Sequence, residues 1–143
     1  NVDIVSLLEE TLQVNSDTKT TNSLNLGGSP CNMAMWLAHL GSKTEFVAAV
    51  GDDLLGSWIA AELVKGGLST ESIQVVPATR SGTCLILVGS DGNRTMLPDP
   101  GANLFLQLTP QQQDLIKSSS VEVMSAYTFL RPETRPIALH VLD

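Results

Sequence analysis

The chain has 143 residues and 43% hydrophobic content with only 4% aromatics, so it can bury one aliphatic core but not two full domains, and it is not a disordered chain. Lys+Arg 8 against Asp+Glu 15 gives a formal net charge of −7, which argues against nucleic acid or an anionic membrane as the main partner. A phosphate ligand stays open, because amides at a helix start bind one without any Lys or Arg.

Asn1 opens directly into Val2-Asp3-Ile4-Val5, which reads as the last part of a strand. The polar stretch from Asp17 to Asn25 has no helical period and is expected as a mobile loop or an exposed edge strand. Gly27-Gly28 then leads into a helix through Leu40, with Ser29 placed as N-cap, Pro30 where a helix tolerates proline and Gly41 just past the end. That helix is almost wholly apolar, so burial on more than one side is expected, with Met33, Met35 and Trp36 in the core. Thr44–Val50 predicts a strand and Leu55–Lys65 a helix ended by Gly66-Gly67.

Ser72–Val76 and Thr83–Val88 are β-branched runs, and Asp91-Gly92 is a hairpin signal from which Arg94–Leu97 returns. Pro98–Asn103 reads as a tight loop, Thr109-Pro110 starts a helix to about Lys117, Val121–Met124 predicts a strand, and a last helix begins near Glu133. Helices and strands alternate with one inserted hairpin, which is α/β with a largely parallel sheet. The final helix runs to Asp143 with no strand after it, so both ends fit a piece of a larger domain.

Cys31 and Cys84 are too few for a disulfide framework, and no Cys/His spacing suggests a metal. No basic signal-like start and no apolar run of about 20 residues is present, so a cytoplasmic protein is expected.

The strongest local pattern is Gly27-Gly28-Ser29-Pro30-Cys31-Asn32. Two glycines at a helix start let a ligand approach backbone closely and offer free amides, with Asn32 able to turn its amide to hydroxyls. A tight loop with nothing bound fits the same residues. Gly51-Asp52-Asp53 joins a strand to a helix, where one of the two carboxylates caps the helix more readily than it does acid–base chemistry. Asp3, at a strand end, can accept two hydroxyl hydrogen bonds from a sugar or merely be solvated. Arg94 reads as an exposed cross-strand residue.

In order, Asn1-Val2-Asp3, Gly27-Gly28-Ser29-Pro30-Cys31-Asn32-Met33-Ala34, Leu40-Gly41, Val50-Gly51-Asp52-Asp53-Leu54-Leu55-Gly56 and Gly66-Gly67-Leu68 closely resemble the first signature region of the ribokinase-like (PfkB) carbohydrate kinases. Thr79-Arg80-Ser81-Gly82-Thr83, Gly92-Asn93-Arg94-Thr95-Met96 and Gly101-Ala102-Asn103 follow in the family's order, so the resemblance spans nearly the whole chain. It implies a mainly parallel sheet flanked by helices, with residues 1–143 as the N-terminal part and a small β-lid at about 5–27 and 80–98. It also implies transfer of the γ-phosphoryl of ATP to a sugar hydroxymethyl with Mg²⁺, and pairing of two copies through the lid.

On the same resemblance Asp3 holds sugar hydroxyls, Gly27, Gly28 and Asn32 form the glycine-loop contacts, and Asn1 and Asn103 are further substrate contacts. Two departures stand out. Ser125-Ala126-Tyr127 replaces a polar or acidic substrate contact that the family often has there. The Gly-Ala-Gly-Asp stretch that supplies the family's anion-hole amides and catalytic base occurs nowhere in the 143 residues. No catalytic residue or metal ligand is therefore assigned, ATP and Mg²⁺ are expected mainly on residues outside this chain, and the chain alone is expected to be inactive. The alternatives are a non-catalytic sugar-binding or regulatory module, and a nucleoside kinase of the same family.

Overall fold

The computed structural model describes residues 1–142, so the expected end of the last helix at Asp143 lies outside the described residues. Strand β1 (Val2–Leu8) is followed by β2 (Thr20–Leu26), which folds back antiparallel to it from Leu8↔Thr20 to Val2↔Leu26. The polar stretch is thus an edge strand from Thr20 onward, exposed from Thr21 to Asn25. Its Thr and Asn content suits an edge that must stay in water.

Gly28 turns the chain at φ 94 into helix α1 (Ser29–His39). Strand β3 (Ala48–Gly51), helix α2 (Leu54–Lys65) and strand β4 (Ile73–Val76) form a β-α-β unit in which β3 and β4 pair in parallel. Strand β5 (Thr83–Val88) runs parallel to β1, and β6 (Arg94–Asp99) returns antiparallel through the Asp91-Gly92 turn, which gives Arg94 the expected cross-strand place opposite Val88. The result is a four-stranded mixed sheet in the order β2-β1-β5-β6 beside the two-stranded β3-β4 sheet. The expected α/β fold with parallel strands and flanking helices is present. A 3₁₀ turn (Gly101–Phe105), α3 (Pro110–Ser118), α4 (Tyr127–Leu130) and α5 (Arg135–Leu142) complete the chain.

The core lies between α1, α2 and the strand starts: Val2, Cys31, Ala34, Val50, Ile59, Leu63 and Leu68 are all buried. Helix α3 joins through a capping box at Thr109 and Gln112, and the buried Gln112 donates from Nε2 to the Ser72 carbonyl at 3.1 Å.

Several sequence expectations are corrected. Gly28, not Ser29, is the N-cap of α1, and no side chain caps that helix; Ser29 is already its first helical residue. Helix α1 buries one side only, with Trp36 66% exposed and Met33 and Leu40 also exposed, because the chain packs its strands and α2 against the Cys31–Ala34 side alone. The strand expected from Thr44 starts at Ala48, where β4 first offers a partner in Ile73. Val121–Met124 forms no strand: it pairs with no described strand, and Val121 and Val123 are exposed. Pro98 and Asp99 extend β6, the loop residues after Pro100 form the 3₁₀ turn, and the last helix begins at Arg135 rather than near Glu133.

Candidate functional site

Asp3 is the second residue of β1, which runs on to Leu8, so it lies at the start of that strand and not at its expected end, between Asn25 of β2 and Cys84 of β5. Its carboxylate lies directly against Gly27, and a Cβ at Gly27 would fall on the Asp3 carboxyl atoms and push that side chain from its place. Asp3 is half-buried, and burial pushes its carboxyl pKa up. No hydrogen-bond donor among the described residues offsets that cost.

The Gly27 amide donates to the Asn1 carbonyl at 3.0 Å, which docks the glycine loop onto the start of β1. Gly28 follows in the left-handed region, and the side where its Cβ would stand is open space. The Asn32 amide donates to the Gly28 carbonyl at 3.0 Å, while its side chain is exposed and makes no hydrogen bond among the described residues. Cys31 beneath this loop and Cys84 beside Asp3 are both buried, and burial raises both thiol pKa values, so neither is poised as a thiolate.

Asn1 and Asn103, far apart in sequence, meet directly. Asn103 Nδ2 donates to Asn1 Oδ1 at 2.8 Å and to the Pro100 carbonyl at 2.6 Å. Gly82 makes this possible: a Cβ there would strike both asparagine side chains and the Pro100 carbonyl. The structure therefore gathers Asn1, Asp3, Gly27, Gly28 and Asn103 around the start of β1, with Asn32 reached only through the Gly28 carbonyl.

Sequence reasoning missed the residues that brace this rim. Asp53, not Asp52, is the cap of α2, and Asp52 is exposed. Asp53 Oδ1 accepts from the Gly56 amide and from the Ser81 hydroxyl, and Oδ2 accepts from the Ser81 amide, each at 2.7 Å. Burial alone would push the Asp53 carboxyl up, but the Ser81 amide and hydroxyl and the Gly56 amide together hold it below the usual carboxylate range. Ser81 is 1% exposed and its hydroxyl accepts from the Gly51 amide at 2.9 Å. A cap at Asp53 was legible from its place before a helix, whereas Ser81 lies 28 residues on and gave no local signal.

Two recesses lie away from Asp3. One of about 310 Å³ is lined by Gly51, Asp53, Ser57 and Thr70, and another of about 260 Å³ by Lys117, Glu122 and His140. Neither includes Asp3 or Asn103. Among the described residues no three His, Cys, Asp or Glu side chains gather into one cluster. No described helix is long and apolar enough to cross a membrane.

Comparison with known proteins follows the same lines. The family described as pfkB family carbohydrate kinase matches residues 1–143. A probable fructokinase-4 of Arabidopsis thaliana is 32% identical over 97 residues, which is 66% of this chain and 30% of that protein. Fructokinase-2 of Solanum lycopersicum matches with the same identity and shares, so the chain spans 30% of the length of these curated relatives. Among solved structures, a ribokinase from Giardia lamblia overlays with TM-score 0.72 at 24% identity, covering 82% of this chain and 37% of that one. A fructokinase of Halothermothrix orenii overlays with TM-score 0.65 at 27% identity, covering 80% of this chain and 40% of that one. An Arabidopsis thaliana ribokinase complexed with ribose and ATP gives TM-score 0.71 at 23% identity, covering 82% and 39%. The fold is ribokinase-like.

Proposed function

The chain belongs to the pfkB family of carbohydrate kinases, and on that premise we propose that it is the substrate half and lid of an ATP-dependent sugar kinase. The observation that supports this most is Asp3, a half-buried carboxylate held against Gly27 with no donor among the described residues to satisfy it. A sugar supplies what the chain withholds: two vicinal hydroxyls donate to the two carboxylate oxygens in charge-assisted hydrogen bonds. The open side of Gly28 admits the sugar to backbone contact, the exposed Asn32 side chain is free to turn toward it, and the Asn1–Asn103 pair lies at the start of β1.

In this reading the lid consists of residues 5–27 and 80–98, which hold most of β1, all of β2 and the β5–β6 hairpin. ATP with Mg²⁺ supplies the phosphoryl group through residues outside this chain, and the acceptor is a sugar hydroxymethyl. Register places Leu24, Ile4, Leu85 and Leu97 in one row across all four strands, on the face opposite Asp3. Leu24 and Leu97 stay more than half exposed, which supports pairing of two copies through the lid. The buried, unpaired cysteines suit a reducing cytoplasm.

The test is ADP release by the full-length protein containing this chain, with fructose, ribose and a nucleoside as acceptors. Sugar-dependent release is expected. Nucleoside-only release would move the acceptor class. Sugar binding without any release would replace the kinase by a binding or regulatory module.

A further inference from the structure

We propose that Asp53 is a positioning residue for the rim around Asp3, acting through Ser81 and Gly82 on the Asn1–Asn103 pair. The effect on substrate rests on the sugar-kinase reading; the structural link does not. A helix cap requires one side-chain oxygen, which Asp53 Oδ1 provides to the Gly56 amide. The second oxygen is surplus to capping, and it is spent on the Ser81 amide, while Oδ1 also takes the Ser81 hydroxyl. Ser81 is further tied to the end of β3 by the Gly51 amide.

From Ser81 the bracing runs in both directions along the chain. The Arg80 carbonyl accepts from the Ala102 amide at 2.9 Å, and Arg80 Nε donates to Asp99 at 2.7 Å. The Gly82 carbonyl accepts from the Val2 amide at 2.9 Å, and the space beside Gly82 is filled by the Asn1 and Asn103 side chains. Arg80-Ser81-Gly82 is thus a bridge gripped by Asp53 and Gly51 on one side and by Gly101-Ala102-Asn103 and β1 on the other.

The bridge has no slack. A Cβ at Gly51 would meet the Thr79 carbonyl and the Ser81 amide, one at Gly82 the Pro100 carbonyl, and one at Gly101 the Arg80 carbonyl, all backbone atoms that cannot swing aside. Close-packed backbone transmits displacement rather than absorbing it. Freeing Ser81 therefore moves Gly82, and with it the Asn103 amide that must meet Asn1 beside the sugar.

Two variants of the full-length protein separate this role from plain capping. Asp53→Asn keeps a capping oxygen of the same rank but sets an NH₂ against the Ser81 amide donor. Ser81→Ala leaves the Asp53–Gly56 cap untouched. Amide hydrogen exchange should quicken about tenfold or more at residues 81–83 and 101–103 in both variants, with 55–57 in the first turn of α2 unchanged. The sugar KM should rise severalfold with the ATP KM unchanged. Exchange that quickens only in α2, or a sugar KM that stays put while 101–103 loosens, overturns the proposal. If the wild-type protein phosphorylates no sugar, the kinase reading fails and the exchange pattern alone decides whether Asp53 governs the Asn103 segment.

Discussion

Asp3→Asn in the full-length protein separates function from stability. The substitution keeps the shape of the side chain against Gly27 and removes its charge. Hydrogen bonds to a charged group contribute about 1.5–3 kcal/mol and neutral ones about 0.5–1.5 kcal/mol. The loss is therefore about 1–1.5 kcal/mol per sugar hydroxyl. An amide also presents one donor where the carboxylate presented an acceptor, which adds to it. Two hydroxyls give a loss of about 2–3 kcal/mol or more, a fall in kcat/KM of roughly thirtyfold to several hundredfold, with ATP affinity unchanged.

Stability should move the other way. Burial raises the Asp3 pKa above its ordinary 3.8, so the folded state holds the proton more tightly than the unfolded chain. Ionised Asp3 thus costs stability as pH rises from the ordinary value through the folded one, and the cost persists at pH 7. The Asn variant carries no such cost, so its Tm should equal or exceed that of wild type at neutral pH and its advantage should shrink below pH 4. Separate sugar and ATP titrations with melting curves at both pH values make the measurement. A lowered Tm with unchanged kcat/KM would show that Asp3 is a structural residue, and the assignment of the sugar site would fall.

Gly27→Ala should lower sugar kcat/KM at least as far as Asp3→Asn, because the added methyl occupies the place of the Asp3 carboxylate; steady-state rates check it. Asp53→Ala should destabilise by about 2–4 kcal/mol at pH 7 in denaturant titration, whereas exposed Asp52→Asn should stay within about 0.5 kcal/mol. Since the Asp53 pKa is lowered in the folded state, its contribution is present above the ordinary carboxyl pKa and is lost as pH falls through the folded value, so wild type and Asp53→Ala should converge in acid. The 143-residue chain alone should release no ADP above a no-enzyme control with any sugar, because the Gly-Ala-Gly-Asp stretch to which the family resemblance assigns the anion-hole donors and the base does not occur in its sequence. Sedimentation of the full-length protein at micromolar concentration should show a dimer, and a clean monomer would remove the lid from consideration as an interface.

Elements whose signals are local were legible in the sequence. Asp53 before an apolar run marks the start of α2, Gly66-Gly67 its end, and Asp91-Gly92 the β5–β6 turn, because caps and turns are settled by neighbouring residues. Val121–Met124 failed for the opposite reason. Its β-branched residues suit a pleated surface, but a strand exists only where another pairs with it, and no described strand does. The apolar composition of α1 was also misleading, since it states what the helix can bury and not how many neighbours reach it; Trp36 and Met33 face outward here.

The site divides in the same way. Gly27-Gly28 is readable as a close-approach loop, yet what a side chain at Gly27 would displace, the Asp3 carboxylate across the ladder, lies there only once β1 and β2 pair. Ser81 is an ordinary serine in sequence and one of the most buried polar residues in the fold. Its partner Asp53 has two oxygens, and the first is accounted for by the helix it caps. The second is turned to a serine 28 residues away, and with the Ser81 hydroxyl's bonds to Oδ1 and the Gly51 amide it ties the β3–α2 corner to the segment that leads into the strand beside Asp3. A glycine-aspartate corner that looks like a local cap is thus also tied, through Ser81 and Gly82, to the Asn1–Asn103 pair at the start of β1.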